Sequence, residues 1–114
     1  MSKPDFLTTI EFEKEFKRLK KKYRSLPDDL KEFKEDYLAN PNIGNDLGGN
    51  FHKIRFSIKS KGKGKSGGGR LIIYELVLNV MFKHVVLVTM YDKSEMETMT
   101  TAHYKAILNR NDFK

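Results

Sequence analysis

Apolar and polar positions along the chain follow two periods in turn. Phe12, Phe16, Leu19, Tyr23 and Leu26 recur at steps of three and four, which puts them on one stripe and predicts an amphipathic helix. Glu11 and Glu13 come first and Lys20, Lys21 and Lys22 last, the order that a helix dipole favours. Pro27 marks a break. Pro27-Asp28-Asp29 then opens a second helix, with proline and acids in its first turn,. Leu30, Phe33, Tyr37 and Leu38 form its apolar stripe, and Asn40-Pro41 ends it. Two such helices make a hairpin whose apolar faces need a partner.

From Phe51 the period falls to two. Lys53, Arg55 and Ser57 alternate with Ile54, Phe56 and Ile58, which predicts a strand over 51–58 with one basic and one apolar face. Residues 70–78, rich in β-branched and apolar side chains, read as its antiparallel partner. The segment between them, 59–69, carries Lys59, Lys61, Lys63 and Lys65 spaced by glycine and serine. With no apolar side chain to bury and glycines that lose much entropy on ordering, it is expected to be a mobile cationic tip. Residues 84–91 are the most apolar run and are expected to form the central strand. Residues 5–10 suit an edge strand, and 42–50, polar and glycine-rich, suit a loop. Thr100-Thr101 signals the start of a short helix anchored by Ala102, Ile107 and Leu108,. The expected architecture is a single α+β domain over 1–114. It has a small curved antiparallel sheet, two N-terminal helices on one face and a short C-terminal helix.

Charge changes this picture most. The net charge is +7. Residues 51–93 hold nine basic residues against Glu75 and Asp92, so the predicted sheet carries the whole excess. A field so localised attracts polyanions and speeds their capture. The chain has no cysteine, which excludes disulfides and thiolate metal sites. His52, His84 and His103 have no ligand-like partners at short spacing, so no metal or cofactor is expected. No apolar run is long enough to span a bilayer, and residues 1–5 lack the apolar core of a secretion signal. The expectation is a soluble, cytoplasmic protein without a membrane partner. Gly64-Lys65-Ser66 has the end of a phosphate-binding loop, but Lys59 stands where that motif needs glycine, and a strand follows where it needs a helix,.

Cutting RNA without a metal needs a base for the attacking 2′-hydroxyl, an acid for the leaving 5′-oxygen, and cations for the developing phosphorane. Glu75 and Asp92 form no obvious acid/base pair. The base is therefore expected to be a lysine or tyrosine whose pKa is lowered by neighbouring positive charge. The apolar face of strand 51–58 must meet the helices, so Lys53 and Arg55 project from the open face. Arg70 follows three glycines, which let its guanidinium come close to a phosphate and grip two oxygens. Tyr91 and Lys93 stand at the end of the last strand. The bland alternatives are strand charges that discourage edge pairing for Lys53 and Arg55, and a packing role for Tyr91.

The two helices, then Lys53-Ile-Arg-Phe56, Gly62-Lys-Gly-Lys-Ser-Gly-Gly-Gly-Arg-Leu-Ile-Ile-Tyr74 and Val86-Leu-Val-Thr-Met-Tyr-Asp-Lys-Ser-Glu95, resemble the RelE/ParE superfamily of toxins, most of all its HigB-like branch. The resemblance covers nearly the whole chain and is most specific over 51–95. It implies a metal-independent, ribosome-dependent mRNA endoribonuclease, silenced by a cognate antitoxin, with the ribosome and mRNA as its other partners. It places Lys53, Arg55 and Arg70 on the basic positions of the RelE-like active face; the tip lysines 59, 61, 63 and 65 are expected from their own charge to bind RNA or ribosome,. Met96 stands where RelE-like enzymes have a further arginine. Their later catalytic tyrosine has no counterpart, and Tyr91 and Lys93 take its place. A ParE-like DNA gyrase poison and a non-catalytic nucleic-acid-binding domain are the alternatives.

Overall fold

The protein is described by a computed structural model over residues 4–95 and 99–113. Strand β1 (Asp5–Thr8) leads into helices α1 (Ile10–Lys22) and α2 (Leu26–Ala39); strands β2 (Asn45–Gly48), β3 (Phe51–Phe56), β4 (Gly69–Val77) and β5 (Lys83–Asp92) follow, and helix α3 (Thr101–Arg110) comes last. The sheet order is β1-β5-β4-β3-β2. The α+β architecture is the expected one, with corrections that matter to the site.

The sheet is mixed, because β1 runs parallel to β5. Strand β4, not β5, is in the middle. The apolar run of β5 reflects cover on both faces. Val85, Leu87 and Met90 join the core under α1 and α2, while Val86 and Val88 join a second core under α3. In α3 the anchors are Tyr104, Ile107 and Leu108, on one stripe, and Ala102 is exposed. The stretch read as a loop, 42–50, contains β2, a strand of four residues with a bulge between Asp46 and Gly48. The α-hairpin breaks at Tyr23–Ser25, just before Pro27, which lies in the first turn of α2. Thr9 fixes the start of α1, accepting from the Phe12 N–H at 2.9 Å and donating to the Val88 carbonyl at 2.6 Å.

The segment between β3 and β4 is not a free tip. Ile58 is fully buried, and 59–61 form a 3-10 turn against α2. Lys61 turns to the helix side, where its ammonium donates to Asp92 Oδ1 at 2.6 Å. Asp92 is itself wholly buried and also accepts from the Tyr23 hydroxyl and from Ser94 N–H and Oγ at 3.0 and 2.9 Å. Burial pushes the Asp92 carboxyl up, but the bonds from Lys61, Tyr23 and Ser94 outweigh it and hold it well below the usual carboxylate range,. Ser60 meets Ser25 at 2.8 Å, and Lys59 pairs with Glu32 at 2.9 Å. Gly68 has no room for a side chain, since a Cβ there would lie 2.2 Å from the Phe56 carbonyl oxygen.

Two outcomes are expected from this tether. Lys61→Ala strands a buried carboxylate, which typically costs about 3–5 kcal/mol, while Lys63→Ala and Lys65→Ala should leave the thermal melt unchanged. Equal melts for all three variants would contradict the tether. Because Asp92 takes up its proton less readily folded than unfolded, its contribution is complete above its ordinary pKa of 3.8 and is lost as pH falls through the folded value,. Acid titration of wild type against Asp92→Asn checks the sign, since the variant should lose less stability below pH about 4.

Candidate functional site

Strand alternation sorts the charges by face. On the side under α1 and α2 lie Ile54, Phe56, Leu71 and Ile73. On the other side lie Lys53 and Arg55 of β3, Arg70 of β4 and Tyr91 of β5. The register sets Arg55 opposite Arg70 and Arg70 opposite Tyr91, so the three form one row across three strands. Lys53 is one step along, opposite Ile72. The Phe56 carbonyl points toward Gly68, so by alternation the Arg55 main chain points away from β4. Arg55 and Arg70 therefore form a closely spaced pair, with Cα atoms about 4.5 Å apart. Like charges so placed repel. No acid of β3, β4 or β5 shares their face. Asp92 bonds on the helix side as described. Glu75 does the same, accepting from the Tyr37 hydroxyl at 2.6 Å, from His52 at 2.8 Å and from Lys83.

The side chains differ in availability. Arg55 is exposed, and Lys53 is half-buried. Burial, with Arg70 and Arg55 beside it, pushes the Lys53 ammonium below its ordinary value of 10.5. Neighbouring positive charge is the cause expected from the sequence to lower such a lysine; here desolvation is the larger cause. Tyr91 is buried at 4% exposure, at the α3 end of the row. Lys93 is exposed, and its main-chain N–H donates to the Gly68 carbonyl at 3.1 Å, tying the end of β5 to the tip. Lys63 and Lys65 face solvent, and Lys65 shares a cleft wall with Lys53 and Arg55. Lys61 is on the opposite face, bonded to Asp92. Met96 lies outside the described residues.

Arg70 does something the sequence did not suggest. Its guanidinium, read above as a phosphate fork, donates from Nη1 to the carbonyls of Lys65 and Gly69, both at 3.0 Å, and from Nη2 to that of Ser66 at 3.1 Å. The residue is 4% exposed. A planar fork that reaches phosphate oxygens can equally gather carbonyls, and the glycines place carbonyls within its reach. Arg70 therefore shapes the loop that presents Lys65 and lends its charge to the face from below.

Tyr104 was not singled out in the sequence, although its spacing with Ile107 and Leu108 marks it as inward-facing. It lines a hollow of about 210 Å³ with Thr89, Tyr91 and His103. Its hydroxyl is buried without a hydrogen-bond partner, and the Met99 main chain approaches it without bonding geometry. Burial and then the nearby Tyr91 push this phenol up. Among the described residues no cluster of His, Asp or Glu is placed to hold a metal.

Removing the Arg70 guanidinium leaves carbonyls at partly buried positions without donors, each costing about 1–3 kcal/mol. Arg70→Ala is expected to lower the melting temperature and speed amide exchange over 65–69, with Arg70→Lys intermediate. A wild-type melt and wild-type exchange in Arg70→Ala would show that the fork does not hold the loop. No protein-family model matches this chain, and the chemistry of this face therefore stands on its own side chains.

Proposed function

We propose that this protein is a toxin of the RelE/ParE type, HigB-like, that cuts mRNA on the ribosome without a metal and is neutralised by a cognate antitoxin. The observation that carries the reading is the cationic face of β3, β4 and β5, whose strand acids Glu75 and Asp92 bond on the helix side. A face on which Arg55, Arg70 and Lys53 lie together, with no acid of β3, β4 or β5 beside them, is suited to a ligand that brings negative charge, and a scissile phosphate gains charge as it reacts,.

On this reading Lys53 is the base. Desolvation and its cationic neighbours raise its neutral fraction, which lets it take the 2′-hydroxyl proton as that oxygen attacks the adjacent phosphorus. Arg55, exposed and always charged, grips the phosphorane oxygens. Tyr91 and Lys93, at the end of β5, are the donors on the side of the leaving 5′-oxygen. Lys63 and Lys65 hold the RNA backbone, and Arg70 acts through the loop it shapes.

Expression alone is expected to stop growth and protein synthesis. Loss of one charge-stabilising donor at such a transition state typically costs ~2.7–4 kcal/mol, so Arg55→Ala should cut ribosome-bound mRNA about 100- to 1000-fold more slowly, with its melt unchanged. For Lys53 the active form is the neutral one and its pKa lies below 10.5, so the rate should climb as pH rises toward that value. Lys53→Arg should lose the climb. Unimpaired growth with soluble protein, or inhibited DNA supercoiling with mRNA left intact, would overturn the proposal.

A further inference from the structure

Strand β1 covers the outer edge of β5 only as far as Leu87, which pairs with Thr8. The Thr9 hydroxyl reaches one residue further and donates to the Val88 carbonyl at 2.6 Å. Beyond Val88 no strand lies alongside. The Lys93 N–H points the other way, to the Gly68 carbonyl on the β4 side, and by alternation the Tyr91 main chain points there too. The Met90 N–H and C=O therefore point outward, as the Val88 carbonyl two residues before them does. Among the described residues no hydrogen bond reaches them from that side.

The hollow of about 210 Å³ described above opens at this point, between α1 and α3. Met90 lines it from the strand, and Met99, Tyr104 and Ile107 line it from the other side. Tyr104 is only 1% exposed, and its hydroxyl is buried without a partner. A main-chain donor, a main-chain acceptor and a phenol thus share one small, otherwise apolar space. The charges around it cancel, with Glu11 and Glu15 against Lys14 and Arg110. Both acids are already engaged, Glu11 by Arg110 and Asn111, Glu15 by Arg18. The space therefore favours a neutral guest.

We infer that this hollow is a binding site for a small, neutral, planar molecule that carries a primary carboxamide on a ring. The amide oxygen accepts from the Met90 N–H, and one amide N–H donates to the Met90 C=O, as a neighbouring strand would. The second amide N–H donates to the Tyr104 hydroxyl oxygen, so every polar group of the site is answered. The ring lies against Met99 and Ile107. Its size fits, since an apolar cavity of about 150 Å³ holds benzene, and the remaining volume accommodates the amide. Apolar walls with a few convergent polar groups are the usual form of a small-molecule site. The inference stands independently of the nuclease reading, because none of these groups belongs to the row of arginines.

The test is a titration of the folded, nitrogen-15-labelled protein with benzamide, and separately with benzoate and toluene, followed through the backbone amide signals. Benzamide should bind saturably and shift the Met90 amide most, while benzoate and toluene bind more weakly. Tyr104→Phe should weaken benzamide by roughly two- to tenfold, the loss of one hydrogen bond. The same variant should melt no lower than wild type without ligand, because the hydroxyl it removes has no partner there. Thr89→Ile, which keeps a β-branched residue in the strand and fills the hollow from its strand side, should abolish binding with the melt retained. The inference falls if benzamide does not bind, if it shifts amides away from Met90, or if toluene or benzoate binds as well. It falls equally if Tyr104→Phe keeps wild-type affinity, if its free form melts lower, or if folded Thr89→Ile still binds.

Discussion

The Asp92 carboxylate, at the end of β5 and fully out of solvent, gathers the Tyr23 hydroxyl from the end of α1, the Lys61 ammonium from the β3–β4 segment and two donors from Ser94. An ionised group so buried is tolerable only when its partners stay in place. The converse is that this carboxylate holds those partners, and with them three elements far apart in sequence. The lysine-rich segment is thereby drawn down on the helix side, and the Lys93 N–H closes it from the strand side. What remains exposed is a shaped loop whose underside is the Arg70 fork.

Glu75 performs the same service near the other end of β4, for Tyr37, His52 and Lys83. Between them the two carboxylates account for every acid of residues 51–93, and both spend their charge on the helix face. The opposite face is left with Lys53, Arg55 and Arg70 at cross-strand distance. Their mutual repulsion is visible in the lowered Lys53 and Arg70 pKa values, for which burial is the larger cause in each case. An anion docking there relieves that repulsion, and the strands that hold the row need not move to receive it.

Local periodicity carried most of the fold. The alternation of Lys53 and Arg55 with Ile54 and Phe56 assigned the faces of β3, and the stripes of α1 and α2 assigned their packing. What eluded the sequence depends on contacts between distant residues. Lys61 sits among glycines and serines that make it look like Lys63, and only Asp92, 31 positions away, sets it apart. Strand β2 is too short and glycine-rich to show a period, and it exists because β3 offers it an edge. The parallel pairing of β1 with β5 leaves no mark in either strand. Arg70 was legible as an arginine placed close to backbone by glycines, but the carbonyls it would gather were not. Tyr104 was visible in the stripe of α3, although nothing local predicts a hydroxyl left without a partner.

The central claim is that the cationic face drives attack by a 2′-hydroxyl on its neighbouring phosphate. Its most direct measurement compares two ribosome-bound mRNAs that differ only in a single 2′-deoxy substitution at the scissile nucleotide. The account predicts that the purified protein cuts the all-ribose message to leave a 2′,3′-cyclic phosphate and a 5′-hydroxyl, and leaves the substituted message whole. Equal cleavage of both messages, or cleavage of neither, would contradict it.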